Sequence, residues 1–339
     1  MRRIEEIYWL RGYGCLAVFA FHLLDHLNQR LSNLGTDLIR IPTVLGTPIF
    51  IFISIFLFSA RYGRDIPEGF LASRLKYVMV PYLVYGLAYA TAEYLKLERR
   101  GEGAGLAEVA VEYLLFAGWH GYFLIIAAQF YAFYWAYGRF DLKRWLPPAP
   151  WLVIGGLVSM SYWGFWQWQR AEPPGYLHWI APLGWLYLFF LALVTVEHFR
   201  KTQAARPTWL VELARPRWLL AMLVLVLGLS LPGWLAYSSK EVWVVPLFVL
   251  FTLWVMNHLR DRPAPPIIKR LNEFSFGIYL AHPMFFNLVD RLDPDERLPL
   301  WGYAALLAAV GMAGSIALNL VANRWSLGGL LLGKRLRIT

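Results

Sequence analysis

The chain has 339 residues, of which 58% are hydrophobic, 17% aromatic and only 16% charged. A soluble domain carries about 25% charged residues, so this balance, with a mean hydropathy of +0.46, predicts a protein whose outer surface faces lipid. The net charge of +10 sits in short Lys and Arg clusters between apolar segments, which sets nucleic acid aside as a partner and suits membrane orientation instead. Cys15 is the sole cysteine, which excludes an internal disulfide and a thiolate metal cluster.

A helix needs roughly 20 apolar residues to cross the hydrocarbon core. Segments of about that length fall near residues 8–27, 43–60, 75–95, 121–138, 151–168, 179–197, 217–236, 242–259, 274–290 and 300–323. Between them lie breaker-rich gaps such as RYGRDIPEG, LERRGEGAG, LPPAP, AEPPG and RDRPAPP, which mark turns at the membrane surface. The first apolar segment contains Arg11, His22 and Asp25 and lacks a small-residue cleavage site, so it is not expected to be a cleaved signal peptide. Residues 106–117 carry Glu108 and Glu112 on one face and predict either an interfacial helix before the fourth span or an ordinary loop helix.

The expected fold is therefore all-α: a polytopic, multi-pass integral membrane protein of about ten transmembrane helices, one domain over residues 1–339. An even count puts both termini on one side. With that side cytoplasmic, the inside segments hold 22 of the 32 basic residues, the outside nine, and Arg11 lies within a span. The alternation obeys the positive-inside rule and predicts residence in the cell membrane.

The first span is anomalous. A charge near a helix centre costs about 2.5–3.5 kcal/mol on insertion scales, so intramembrane ionisable groups are functional candidates. Arg11 and His22 are three turns apart on one face, about 16 Å along the axis. Asp25 and His26 extend the stripe at i+3 and i+4 from His22. Such a stripe must line a cavity within the bundle. A neutral His22 there suits a general base on a hydroxyl, with Asp25 placed to orient its ring. The plainer readings are snorkelling for Arg11, a hydrogen-bonded core histidine for His22, and solvation for Asp25 and His26. Cys15, one turn from Arg11, reads as a small residue packed between helices.

Arg11-x10-His22 resembles the signature of the acyltransferase-3 family of membrane O-acyltransferases. Further segments follow in the family's order: LGTPIFIFISIFLFS (45–59), SRLKYVMVPY (73–82), GWHGYFLIIAAQFY (118–131) and FSFGIYLAHP (274–283). Within the family, the likeness is to the intercellular-adhesion subgroup of biofilm proteins, whose glycan is poly-N-acetylglucosamine. The resemblance implies transfer of an acyl group, acetyl or succinyl, from cytoplasmic acyl-CoA (acetyl-CoA or succinyl-CoA) to a hydroxyl of a cell-surface polysaccharide. Export of the same glycan is the alternative. Membrane lipid, the extracellular or nascent polysaccharide and a glycan synthase complex are the implied partners. Asp25 and His26 lie outside the family pattern.

Under this resemblance Arg64, Arg74 and Lys76 are candidates for the CoA phosphates, although topology alone also explains them. Arg11 would sit where the thioester arm enters. Tyr122, Gln129, Ser275 and Tyr279 are candidate donors to a developing oxyanion. Ser275, Tyr279 and His282, at i, i+4 and i+7, form one polar stripe, which interhelical hydrogen bonding would equally explain. Trp119 and His120 sit at the outer end of the fourth span, where Trp119 suits either an interface anchor or a platform for a sugar ring. The seven histidines are scattered, so no metal site is expected.

Overall fold

A backbone in lipid must satisfy its own polar groups, and a helix does so within one segment. The computed structural model describes residues 4–63, 65–103, 105–169, 176–199, 206–260, 262–293 and 297–333, and among these residues it is helical without a strand. In chain order the helices are α1 (Glu5–Arg30), α2 (Leu34–Arg40), α3 (Gly46–Tyr62), α4 (Phe70–Arg100), α5 (Leu106–Leu114), α6 (Tyr122–Arg139), α7 (Pro148–Gln169) and α8 (Leu177–Ile180). They continue with α9 (Leu186–Phe199), α10 (Thr208–Leu213), α11 (Pro216–Ser230), α12 (Val244–His258), α13 (Pro266–Leu292), α14 (Leu300–Asn323) and α15 (Gly328–Leu331).

Every apolar segment read from the sequence contains a helix, but not each is long and apolar throughout. Among the described residues, four stretches meet both conditions for crossing a membrane: Glu5–Arg30, Leu34–Tyr62, Pro182–Phe199 and Leu300–Asn323. Pro216–Ser230 and Val244–His258 are apolar but shorter. The segment expected at 179–197 is broken into α8, a tight turn at Pro182–Trp185 and α9. The one expected at 217–236 stops at Ser230, because Pro232 cannot continue the helix and Gly233 takes φ +73°. Residues Leu106–Leu114 form a helix with Val109 buried and both Glu108 and Glu112 exposed.

Side-chain pairs fix the helix directions around the polar stripe. α13 runs parallel to α1, tied by Lys269 to Glu5 at one end (3.5 Å) and by Arg30 to Asp293 at the other (3.0 Å). α3 runs antiparallel to α1 and touches it closely at Gly46. A Cβ there would stand 2.9 Å from the backbone nitrogen of Val18, so only glycine permits this approach. α6 runs alongside α3, with Tyr134 donating to the carbonyls of Phe58 and Gly63 (3.1 and 3.0 Å). α4 runs with α1, and its Tyr89 donates to the Leu280 carbonyl (2.8 Å). Fully buried rings of α3, α6, α9 and α12, among them Phe52, Phe130, Phe189 and Phe248, fill the space behind them.

Candidate active site

The stripe on α1 opens into two cavities rather than one. His22 and Asp25 line the larger, of about 450 Å³, together with Arg40, Thr47, His120, Tyr122, Tyr176, Trp179, Lys240 and Tyr279. Arg11 lines the second, of about 260 Å³, with Phe50, Ser54, Arg74, Phe123, Tyr131 and Ser275. The eleven-residue spacing thus places the two residues on one face but at opposite ends of the bundle.

At the His22 end, two helices, α1 and α13, and the turn before α6 bring three imidazoles together. The His22 ring lies 5.2 Å from that of His282 on α13 and 5.8 Å from that of His120, and the latter two are 5.9 Å apart. His22 keeps 26% of its side chain accessible, whereas His282 is fully buried. Nδ1 of His282 lies 2.8 Å from the Ile278 carbonyl. A carbonyl only accepts, so Nδ1 carries the proton and Nε2 is left a bare acceptor; Nε2 has no partner. Despite the cluster, no group of three His, Cys, Asp or Glu that could hold a metal occurs among the described residues. His22 and His120 are partly accessible and both line the cavity, whereas His282 stands behind them.

Asp25 does not orient His22 through a hydrogen bond. Its carboxylate stands 3.7 Å from His22 Nδ1, beyond bonding range, and instead receives the guanidinium of Arg40 from the end of α2. His26 leaves the stripe altogether: its Nδ1 meets Asp290 on α13 at 2.9 Å. Cys15 is packed in the core, with its sulfur 4.0 Å from the Ser275 carbonyl.

The remaining rim comes from α8 with the turn before it, and from the loop before α12. Tyr176 and Trp179 stack face to face, 3.9 Å apart and 7° from parallel. Lys240 Nζ sits 3.4 Å above the Trp179 ring and 5.2 Å from that of Tyr122, a cation–π placement. Neither Arg40, Lys240 nor the Tyr176–Trp179 pair stands out in the sequence as a site residue. The one local signal is the i, i+3 spacing of the two rings, which brings side chains together on a helical turn.

Several expected site residues lie elsewhere. Trp119 is not a sugar platform: it is buried between Tyr82 and Tyr89, at 5.4 Å from each, and supports His120 from behind at 5.0 Å. Tyr279 lines the His22 cavity, but its hydroxyl is spent on the His120 carbonyl (2.7 Å). Ser275, on the same helix, donates to Asn272 (3.1 Å) and faces the Arg11 cavity, so the expected single stripe of α13 is divided between the two. Gln129 borders neither cavity. Tyr122 does border the larger one, with its hydroxyl 3.5 Å from that of Ser239.

At the other end, Arg74 enters the Arg11 cavity, donating to the Tyr62 hydroxyl at 3.2 Å and leaving its Nε buried without a partner. Lys76 does not join it. Residues two apart on a helix point away from each other, and Lys76 is exposed. Arg64 lies outside the described residues.

Comparison with known proteins identifies the family. A family model described as an acyltransferase domain matches residues 4–320. A Bacillus subtilis (strain 168) protein provisionally named membrane-bound acyltransferase YfiQ is 28% identical, covering 98% of this chain and 95% of its own. A probable poly-β-1,6-N-acetyl-D-glucosamine export protein of Staphylococcus aureus (strain MRSA252) is 25% identical over 85% of this chain and 84% of its own. Its namesake in Staphylococcus epidermidis is 26% identical over 83% and 81%. No solved structure matches.

Proposed function

The chain belongs to the acyltransferase-3 family and is a membrane acyltransferase, and on that premise we propose that it carries an acyl group from cytoplasmic acyl-CoA to a hydroxyl of a cell-surface polysaccharide. In this reading it is one domain of ten spans in the plasma membrane, with both termini in the cytoplasm. The Arg11 cavity then faces the cytoplasm and the His22 cavity faces outward. The observation that carries the reading is the division of the α1 stripe. Two guanidinium groups, Arg11 and Arg74, line one cavity, and an accessible histidine under an aromatic rim lines the other.

Guanidinium groups suit phosphate and thioester-arm recognition because their forked donors meet anionic oxygens. A cavity of about 260 Å³ falls below the roughly 300–1,000 Å³ that encloses a drug-sized ligand. It therefore takes the end of the donor arm, while the nucleotide stays on the basic cytoplasmic rim. On the outer side, the Tyr176–Trp179 pair offers an apolar face to a sugar ring. His22 accepts the proton of the acceptor hydroxyl as its oxygen attacks the thioester carbonyl. The C–O bond forms, the C–S bond breaks, and the CoA thiolate leaves and regains a proton from the imidazolium. Tyr122, whose hydroxyl points at the same cavity, is the best placed of the expected donors for the transient oxyanion.

The names of the staphylococcal relatives favour a second reading, export of poly-N-acetylglucosamine. Against it, three aromatic rings occupy the space between the two cavities. In either reading the protein would work beside the glycan's synthase. The test is acyl transfer from labelled acyl-CoA to glycan by purified protein in liposomes. His22→Ala is expected to lose about 10²–10⁴-fold in rate, the typical worth of a positioned base; an undiminished rate refutes it as the base. Mass spectrometry of the surface glycan from cells with and without the protein separates the two functions. A missing acyl increment supports transfer, and unmodified glycan trapped inside the cell supports export.

A further inference from the structure

What divides the two cavities is a single layer of rings, one from each of three helices. Tyr279 of α13 forms part of the wall of the His22 cavity, while Phe50 of α3 and Phe123 of α6 form part of the wall of the Arg11 cavity. Their centroids are 4.2 Å apart for Phe123 and Tyr279, 5.7 Å for Phe50 and Tyr279, and 6.3 Å for Phe50 and Phe123. Those spacings are contact distances for aromatic side chains, so the rings close the layer to anything as wide as a sugar. Phe50 also lies beside Gly14 on α1, where a Cβ would meet its Cε2 at 3.6 Å. The layer therefore sits between the levels of Arg11 and His22.

The three rings are not equally held. Tyr279 is pinned by its hydrogen bond to the His120 carbonyl, and Phe123 is buried against it at the shortest of the three spacings. Phe50 is half-buried and makes the two longer contacts. It is the ring with room to turn.

We propose that Phe50, Phe123 and Tyr279 form the acyl-selecting layer of this transferase, admitting a short, uncharged acyl group such as acetyl and turning back succinyl and longer chains. The inference rests on the proposed transfer reading and deepens it by naming the donor's acyl class. The thioester carbonyl must reach His22, so the tail of the acyl group goes into the layer first. A two-carbon group displaces little. Each further methylene must push a packed ring aside, and a misfit of one methylene is worth roughly 10–200-fold in an apolar pocket. A succinyl tail brings a carboxylate among three rings whose one hydroxyl is already committed, and burying an unpaired charge is costly. The bonds made and broken are those of the transfer written above.

The test compares acetyl-, butyryl-, hexanoyl- and succinyl-CoA as donors for the purified protein, for Phe50→Ala, and for the milder Phe50→Leu and Phe123→Leu. Each is read as the ratio of longer-acyl to acetyl transfer within one preparation, so that altered yield or folding cancels. The unsubstituted protein is expected to prefer acetyl, and Phe50→Ala to raise the butyryl-to-acetyl ratio about tenfold or more, with Phe50→Leu in between. Phe50→Trp is expected to narrow the profile further. Transfer with unchanged ratios in all variants, or succinyl and butyryl used as readily as acetyl by the unsubstituted protein, overturns the selecting layer and leaves acyl transfer standing. Transfer from none of the four donors by the unsubstituted protein overturns the transfer reading itself.

Discussion

Replacing Arg74 with alanine removes the one cation that α4 sends into the Arg11 cavity and leaves Lys76 in place on the exposed side of the same helix. The structure assigns the two very different weights. Arg74 has a buried Nε with no partner, so an anionic oxygen in the cavity can take that donor without displacing another bond. Hydrogen bonds to charged groups are worth about 1.5–3 kcal/mol, which corresponds to roughly 10–150-fold in affinity. Lys76 contributes as an exposed charge, at about 0–1 kcal/mol, less than roughly sixfold. The assay is the initial rate of acyl transfer against acyl-CoA concentration, at low and high salt. Arg74→Ala is expected to raise the apparent KM for acyl-CoA by one to two orders of magnitude, and Lys76→Ala to shift it only slightly, by an amount that salt screens away. Arg74→Lys should recover little, because an ammonium lacks the guanidinium fork. Arg74 also lies 5.2 Å over the Phe58 ring, so thermal unfolding of each variant separates lost binding from lost packing. Equal losses for the two positions, or a larger one at Lys76, would refute the division of labour.

Two further predictions concern the other end. Trp179→Ala removes both the stacking partner of Tyr176 and the face beneath Lys240. Aromatic pairs are worth about 0.5–1.5 kcal/mol, so the KM for the glycan acceptor should rise roughly two- to twelvefold with the KM for acyl-CoA unmoved; a change confined to the donor would place the sugar elsewhere. Glu241, in the loop before α12, is pushed up to about 7 by burial, against the opposing pull of Lys240 and the hydrogen bond from Gln167. Because the folded value lies above the ordinary 4.5, stability is expected to fall as pH rises from about 4.5 through about 7, by an amount on the order of 3 kcal/mol. Glu241→Gln should abolish that fall: thermal unfolding is expected to match the unsubstituted protein near pH 4.5 and exceed it at pH 8, and parallel curves across this range would contradict the assignment.

The helical class and the α1 stripe were legible because both rest on local rules, apolar length and a 3.6-residue period. The period places Arg11 and His22 on one face, and the structure keeps them there. It says nothing of what stands between them, since Phe50, Phe123 and Tyr279 come from three other helices. The same locality explains Arg74 and Lys76. A basic segment reads as one patch in sequence, but a two-residue step on a helix sends its members to opposite sides. Trp119 shows the reverse failure. A tryptophan at the end of an apolar segment suggests an interface, yet Tyr82 and Tyr89, on the neighbouring helix, enclose it. Arg40, at the end of α2, and Lys240, in the loop before α12, reach the cavity from places far apart in the chain, so no local pattern announces them.

The ring layer gives the spacing of Arg11 and His22 a chemical sense on the proposed reading. A thioester is open to water as well as to a sugar hydroxyl, and the outer cavity is wide enough to be wet. A continuous passage would expose the donor to that water whenever the acceptor was absent. With Phe50, Phe123 and Tyr279 packed between the cavities, the thioester waits at the Arg11 end, apart from the wider outer cavity. It meets His22 only when the acyl group itself parts the rings. Tyr279 then links the two events, because its hydroxyl holds the His120 carbonyl and His120 packs against His22. Tyr279→Phe keeps the ring and releases that tether. It therefore tests whether the layer does more than exclude: the barrier should remain, while the histidine cluster loses the bond that fixes its position.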